Sequence, residues 1–315
     1  MSEKAPVLEL KNINKSFSGV QGLYDISFDL YEGEVHCLVG ENGAGKSTLI
    51  KIISGAYQPD NGEISYQGHM VDHLDPRWSL EHGISTIYQE IDTVPVLSVA
   101  ENISLGNEPL KRGGDIDRSA MRLRAKKVLD DIEAEIDVDV PVGTLKVAHQ
   151  QMVVIAKALS LNSKVLILDE PTAVFTASEI DTLFKIIHRL KTQGIAIIYI
   201  SHHLDEIFQI GDRITVLRDG WVTTTGRVEE FDHNRLVQAM VGRNIDFSQQ
   251  ELSGEPGDEA LRVVDLTRKE VFENINFTLR AGEIVGVAGL VGSGRTEMAR
   301  ALIGADPLDR GEVYI

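Results

Sequence analysis

CLVGENGAGKSTLIKII, Cys37 to Ile53, is the stretch whose reading decides the fold. It holds Gly40, Gly45, Lys46 and Ser47 in the order G-x-x-x-x-G-K-S. The apolar run Val35–Val39 just before it predicts a buried strand. From Lys46 onward the spacing is helical, with Leu49, Ile50 and Ile53 on one side. Between strand and helix, the glycines let the backbone of Gly40, Glu41, Asn42, Gly43, Ala44 and Gly45 curl so that several N–H groups face an anion. The helix that opens at Lys46, Ser47 and Thr48 adds the positive end of its dipole. Lys46 is placed to reach β- and γ-phosphates, and Ser47 to offer a hydroxyl to Mg²⁺. A glycine-rich turn that binds nothing would need neither the lysine nor the hydroxyl. The stretch implies a nucleoside-triphosphate site.

Composition sets the surroundings. A chain of 315 residues has room for two domains, each with an ordinary core. Its formal net charge of -17, from 31 Lys+Arg and 48 Asp+Glu, lacks the basic footprint of a general nucleic-acid binder. The phosphate site is then a positive island in an acidic protein. Cys37 is the one cysteine; it sits inside the expected strand, which suits a packed thiol in a reducing compartment. MSEKAPVLEL at the N-terminus has no apolar signal core, and no apolar run approaches bilayer length. The chain is expected to reach a membrane only through partners.

Further along, Val7–Leu10, Ile26–Leu30 and Val35–Val39 alternate as strands, and Pro59-Asp60-Asn61-Gly62 turns the chain into Glu63–Tyr66. Ile84–Tyr88 reads as another strand. Between about 91 and 160 helical periodicity takes over, as in Met121, Leu123, Ala125, Val128, Leu129 and Ile132, and this is expected to form a helical subdomain. Strands return at Val165–Leu168, Ala196–Ile200, Ile214–Leu217 and Val222–Thr225. A helix over Glu179–Leu190 intervenes, with Thr176 and Glu179 spaced as a capping box. Strands alternating with helices predict an α/β fold with a parallel sheet covered on both faces. The segment 246–259 reads as a linker: FSQQELSGEPGDEA, Phe247 to Ala260, holds four acids, two glycines and a proline without a lysine or arginine. After it the chain repeats itself. Glu273–Ile315 parallels Tyr24–Tyr66, with Gly282-Glu283 matching Gly33-Glu34 and Gly289 matching Gly40. The expected organisation is a first nucleotide-binding domain at 1–245 and the start of a second at 260–315, with the second copy expected to be truncated.

Lys164–Glu170 reads KVLILDE, a buried strand ending in two carboxylates. Asp169 would hold Mg²⁺, largely through water, and Glu170 is placed to orient or deprotonate an attacking water. An acidic pair after a strand often marks only a solvated turn; downstream of a phosphate loop it is the expected partner. Gln89 could bring an amide to the metal or the water, His202 could contact the γ-phosphate, and Phe17 could stack on adenine. Taken alone, each has a plainer reading: an exposed glutamine, a strand-end histidine, a core aromatic.

The order phosphate loop, glutamine, helical segment, LKVAHQQ, ILDEPT, ISH resembles the ATP-binding-cassette ATPases over essentially the whole chain. YQE (88–90), ENISLGNEP (101–109), QQMVVIAKAL (150–159), DEPTA (169–173) and YISHHLDEIFQIGDRITVLRDG (199–220) look like the tandem cassette ATPases of monosaccharide (ribose, galactose or xylose type) importers. The resemblance implies a P-loop cassette with a β-subdomain and a helical subdomain, and ATP and Mg²⁺ as cofactors. It also implies a head-to-tail pair of cassettes in which each ATP site joins one phosphate loop to the other cassette's signature helix. Carried over, Phe17 is the adenine-stacking aromatic, Gln89 and Asp169 metal ligands with Ser47, Glu170 the catalytic carboxylate, and His202 the switch histidine. Leu145, Lys146, Val147, Ala148 and His149 form the signature. Around Gln89 and the helical insert, transmembrane permease subunits would dock at the cytoplasmic face of the membrane and pass a sugar from a periplasmic or extracellular binding protein.

Several positions depart from that pattern. The signature usually has serine second and glycine fourth, where this chain has Lys146 and Ala148; the family's glycine permits close backbone approach. The second phosphate loop, Gly289-x-x-x-x-Gly294-Arg295-Thr296, replaces the lysine with arginine. Val174-Phe175-Thr176 stands where cassettes often carry a polar loop ending in aspartate. In the head-to-tail arrangement Lys146, Ala148 and Arg295 fall at one composite site, which is expected to be degenerate, leaving Gly40–Ser47, Asp169 and Glu170 as the hydrolytic half. Two other readings stand beside this one: a cassette protein acting on ribosomes or DNA, and a catalytically silent nucleotide-binding fragment.

Overall fold

In the computed structural model, residues 5–173, 175–242, 257–289 and 292–315 are described. They form two compact units, Met1–Ile245 and Asp246–Ile315.

In the first unit, β1 (Leu8–Phe17) and β2 (Val20–Leu30) form a long antiparallel hairpin. The chain then enters β3 (Val35–Val39), turns through the glycine loop, and runs into α1 (Lys46–Ile53). Strands β4 (Asn61–Tyr66) and β5 (His69–Met70) complete a four-stranded sheet of order β2-β1-β4-β5. Next come the short α2 (Pro76–Glu81), β6 (Ile84–Ile87), α3 (Val99–Ser104), α4 (Arg118–Asp131) and α5 (Val147–Ser160). The remaining elements are β7 (Val165–Asp169), α6 (Ala177–Thr192), β8 (Ala196–Ile200), α7 (Leu204–Ile210), β9 (Arg213–Arg218), β10 (Trp221–Arg227) and α8 (His233–Val241).

The second sheet has the order β10-β9-β3-β8-β7-β6, parallel from β9 to β6. Its parallel strands β3, β6, β7, β8 and β9 are largely buried because both faces are covered, whereas the antiparallel edge strand β10 alternates exposed and half-buried residues. Val35, Cys37 and Val39 face the core shared with α5 and α6, whereas Leu38 faces α1 and the antiparallel sheet. The same alternation runs through β7, with Leu166 and Leu168 on one side and Val165 and Ile167 on the other. Burial pushes the Cys37 thiol far above its usual range, so it is packing material rather than a nucleophile.

The helical stretch differs from the expected pattern in one respect. Met121, Ala125 and Leu129 are buried on α4, but Leu123 is 72% exposed and belongs to the opposite face. Strand β6 ends at Ile87, so Tyr88 lies outside it and exposed. On α6, the Glu179 carboxylate accepts from both the N–H and the hydroxyl of Thr176, each at 2.8 Å, as the capping spacing requires. Phe175 packs onto the core; its neighbour Val174 lies outside the described residues.

The second unit is smaller: β11 (Glu259–Arg268), β12 (Phe272–Arg280), α9 (Arg295–Leu302) and β13 (Arg310–Tyr314). Its order, β12-β11-β13, repeats β2-β1-β4. The backbone repeats it too. Gly62 (φ 111°) and Gly311 (φ 113°) occupy corresponding places, as do Asn12 (φ 53°) and Asp265 (φ 50°). Most of the stretch read as a linker, and Leu290 and Val291 of the second glycine loop, lie outside the described residues; Glu259, assigned to the linker from composition, is the first residue of β11.

Candidate functional site

Parallel strands bring their carboxyl ends to one edge, where α/β sheets place ligands. Four candidate segments meet there by topology. The glycine loop leaves β3, Asp169 ends β7, His202 follows β8 by two residues, and Gln89 follows β6 by two residues. Register agrees: Asp169 pairs with Ile200 and Ile87 with Leu168.

The loop is built on left-handed glycines. Gly45 caps α1 at φ 106° with its Cα turned toward β2; a Cβ there would meet Leu23 Cδ2 at 2.6 Å and the Gly22 carbonyl at 3.0 Å. Only glycine fits so close a crossing. Lys46 Nζ donates to the carbonyls of Gly40 (2.7 Å) and Glu41 (3.0 Å), folding the ammonium back over its own loop. Burial lowers the Lys46 pKa, and the charges of Glu170 and Asp169 oppose that shift. Asp169 is its complement: burial raises its pKa, Glu170 raises it further, and Lys46 and Lys51 pull it back. Lysine and carboxylates thus share one half-buried electrostatic site. Ser47 is exposed at the start of the helix.

Glu170 sits in the left-handed region at φ 48°, its N–H donating to the Ile200 carbonyl at 2.9 Å. A glutamate held there is strained, which is common where a side chain must be aimed. Its Oε1 lies 3.3 Å from His202 Nδ1, with Glu170 19% exposed and His202 57%. The two residues that the sequence names separately are therefore in contact. Gln89 is exposed just past β6.

Phe17 ends β1 at 39% exposure, against the Tyr57 ring (centroids 5.3 Å apart) with Lys15 Nζ 5.6 Å above its face. A Cβ on Gly22 would meet the Phe17 ring at 3.3 Å, and one on Gly45 would meet the Gly22 carbonyl at 3.0 Å, so both glycines leave room between the aromatic and the phosphate loop. The turn Asp219-Gly220 closes the same region: Gly220 N–H donates to the Ala44 carbonyl at 3.1 Å.

The residues read as the signature, Leu145–His149, lie at the start of α5. Lys146 is the exposed N-cap residue and Val147 is exposed, while Leu145 is half-buried. Ala148, where the resemblance implies a glycine, is 3% exposed, so its methyl is buried in this chain. Thr176 chiefly lowers the Glu179 pKa, with Lys146 and His149 assisting, so the signature lies beside the start of α6. In the second unit, Gly294 (φ 82°) caps α9 as Gly45 caps α1, and Arg295 and Thr296 are exposed. A Cβ on Gly289 would meet Ser293 Oγ at 2.5 Å.

No motif flagged one buried group. Glu206 accepts from the hydroxyls of Thr172, Tyr199 and Ser201. The only sequence signal is an acid one turn into a helix after Ser201-His202, which is indistinguishable from an ordinary first-turn glutamate.

Comparison with known proteins agrees with this geometry. A family model described as ABC transporter matches residues 23–173. The chain is 50% identical over 311 residues to the ribose import ATP-binding protein RbsA 1 of Rubrobacter xylanophilus, covering 98% of this chain and 62% of that one. It is 46% identical over 313 residues to the ribose import ATP-binding protein RbsA of Corynebacterium glutamicum, covering 99% and 59%. The chain thus spans about three fifths of the length of these relatives. Among solved structures, an ATP-binding cassette of an ABC transporter in its ADP conformation superposes with a TM-score of 0.67 at 26% identity, covering 76% of this chain and 100% of that one. A dimeric cassette in a post-hydrolysis state with ADP and Pi gives a TM-score of 0.61 at 26% identity, covering 71% and 100%.

Proposed function

The chain folds as a P-loop ATP-binding cassette, and from that premise we propose that it is an ATP-hydrolysing subunit that energises import of a sugar. The observation that carries the reading is the shared carboxyl edge, where Lys46, Asp169, Glu170 and His202 meet at the end of one parallel sheet.

Phe17 stacks on adenine and the amides of Gly40–Thr48 hold the phosphates, with Lys46 exchanging its two carbonyl partners for phosphate oxygens. Mg²⁺ suits the donor set of Ser47, Gln89 and Asp169, hard oxygens of which only one is a carboxylate, because it keeps much of its water. Bound there, the ion neutralises charge on the phosphates. Glu170 takes the proton of the attacking water, and His202, 3.3 Å away, fixes the carboxylate and faces the γ-phosphate. The signature Leu145–His149 acts on a facing cassette, in a head-to-tail pair whose second site, with Lys146, Ala148 and Arg295, is degenerate. On this reading 1–245 is the first cassette, with 91–160 its helical subdomain, 246–259 links it onward, and 260–315 begins a second cassette.

Permease subunits dock beside Gln89. A groove of about 920 Å³ lies there, lined by Arg77, Leu80, Tyr88, Glu90, Leu105 and Lys157. Among the described residues no helix is long and apolar enough to cross a membrane, in keeping with a subunit held at the cytoplasmic face by those partners; the sugar comes from a periplasmic binding protein. The net charge of -17 gives no footing to nucleic acid.

Glu170→Gln tests the reading. ATP should still bind, while turnover falls by roughly 10²–10⁴, the usual worth of a general base. Retained turnover, measured as phosphate release alongside nucleotide binding, would refute it.

A further inference from the structure

The loops that carry Glu170 and His202 are joined behind the site by Glu206. This side chain is 6% exposed, and its partners Thr172, Ser201 and Tyr199 are 4%, 3% and 0% exposed. Thr172 donates to Oε1 at 2.8 Å; Tyr199 and Ser201 donate to Oε2 at 2.8 and 2.7 Å. All three of these partners are neutral hydroxyls. A carboxyl group buried among neutral hydroxyls is costly to keep, and a well-packed apolar side chain would fill the same space more cheaply. Its geometry supplies a reason for it to be there.

Thr172 lies two residues after Glu170, and Ser201 immediately precedes His202. Ser201 Oγ also accepts the N–H of His203 at 3.0 Å, fixing the turn in which His202 stands. On the other side, Glu170 is held by Ile200. The contacts therefore close a ring: Glu170 through Pro171 to Thr172, across to Glu206, on to Ser201 and His202, and back by the 3.3 Å contact to Glu170. We propose that Glu206 is a positioning residue that makes these two loops move as one body, so that the carboxylate and the histidine keep their mutual geometry during the reaction. The inference rests on the ATPase reading for its purpose, but the coupling itself is a property of the fold.

Two variants test it in the full chain. Glu206→Ala removes the junction. Thr172→Val keeps the shape and deletes one donor. Hydrogen exchange should rise about tenfold in Glu206→Ala at the amides of both 170–173 and 201–203, the scale expected when a buried hydrogen bond is lost. Thr172→Val should loosen 201–203 across the ring as well as its own loop. Steady-state kinetics should then show kcat lowered about ten- to hundredfold with ATP affinity within about threefold, because misplacement rather than binding is at fault. Glu206→Gln, whose amide oxygen can still accept from Tyr199 and Ser201 and whose NH2 can donate to a rotated Thr172 hydroxyl, should recover most of the rate. If Thr172→Val leaves exchange at 201–203 unchanged, or if kcat and affinity fall together, Glu206 is a packing residue and the proposal is wrong. Absence of ATP turnover in the unsubstituted chain would count against the ATPase reading alone, since the exchange result still decides the coupling.

Discussion

Val35–Ile53 and Ile284–Leu302 carry the same pattern and fold unequally. Both helices open after a left-handed glycine, Gly45 at φ 106° and Gly294 at φ 82°. Ahead of the first, all five residues of β3 are buried. Ahead of the second, 283–289 form no strand, with Ile284 78% exposed and Val287 50%. The turn and the helix need only their own residues: a glycine with positive φ and a run of helix formers. A parallel strand needs neighbours on either side. β3 finds them in β8 and β9, which lie far along the chain, whereas no described segment of Asp246–Ile315 stands beside 283–289. Local structure here is written locally. The strand is written elsewhere.

The sharpest way to break that contrast is to truncate matching positions. Leu38→Ala removes a fully buried side chain between α1 and the antiparallel sheet and should destabilise the first unit by about 2–5 kcal/mol. Val287→Ala, at the corresponding place, should change stability by less than about 0.5 kcal/mol. Urea unfolding of the two variants measures both. Comparable losses would mean that 283–289 is packed after all.

The next test compares the two cations. Lys46 is half-buried and close to Asp169 and Glu170, whereas Arg295 is exposed at the head of α9. Lys46→Ala should weaken ATP binding by about ten- to hundredfold, the worth of a charge-assisted bond or two. Arg295→Ala should shift it less than about twofold. Titration with a fluorescent ATP analogue separates the outcomes, and equal losses would make the second loop a working site.

Much of this was legible before the structure. Gly40–Ser47 fixes its own turn, and KVLILDE announces a strand that ends in carboxylates, so the phosphate loop and Asp169 could be placed from pattern alone. The contact between Glu170 and His202 was not legible. It depends on β7 and β8 being neighbours and on Glu170 adopting φ 48°. Glu206 was invisible for the same reason, because its three donors come from two loops and a strand. Ala148 shows a different limit. A motif tells which positions matter, but only the fold shows that this methyl is buried, at 3% exposure. Leu123 erred because a helix face was read from apolar type, when one exposed leucine on a charged helix is ordinary.

His36 offers the finest comparison, since Val285 takes its place in the repeat. His36 is fully buried beneath Phe28, with Nδ1 2.9 Å from the Asp29 carbonyl and Nε2 2.8 Å from Thr215 Oγ1. Burial, aided by the nearby Arg213 charge and opposed by Asp29, drives its pKa from 6.5 to about 3. Unfolding releases the ring to water, where it takes up a proton below pH 6.5 that the folded state refuses until about pH 3. The unfolded state thus binds more protons across that window, and stability falls as the pH drops through it, by up to about 1.4 kcal/mol per unit. In His36→Val the Thr215 hydroxyl keeps its contact with Thr225 at 2.9 Å, so only the ring and its proton are removed. Between pH 6 and 4.5 the variant should therefore lose stability less steeply than the unsubstituted chain, by about 1 kcal/mol per unit in urea unfolding. Asp29, the carboxylate whose pKa the ring helps to lower, is held below its ordinary value and so titrates below this window, and the difference in slope between pH 6 and 4.5 belongs to His36. Parallel curves would mean that the buried ring already carries a proton in the fold, and that β3 and its counterpart do not differ in this respect.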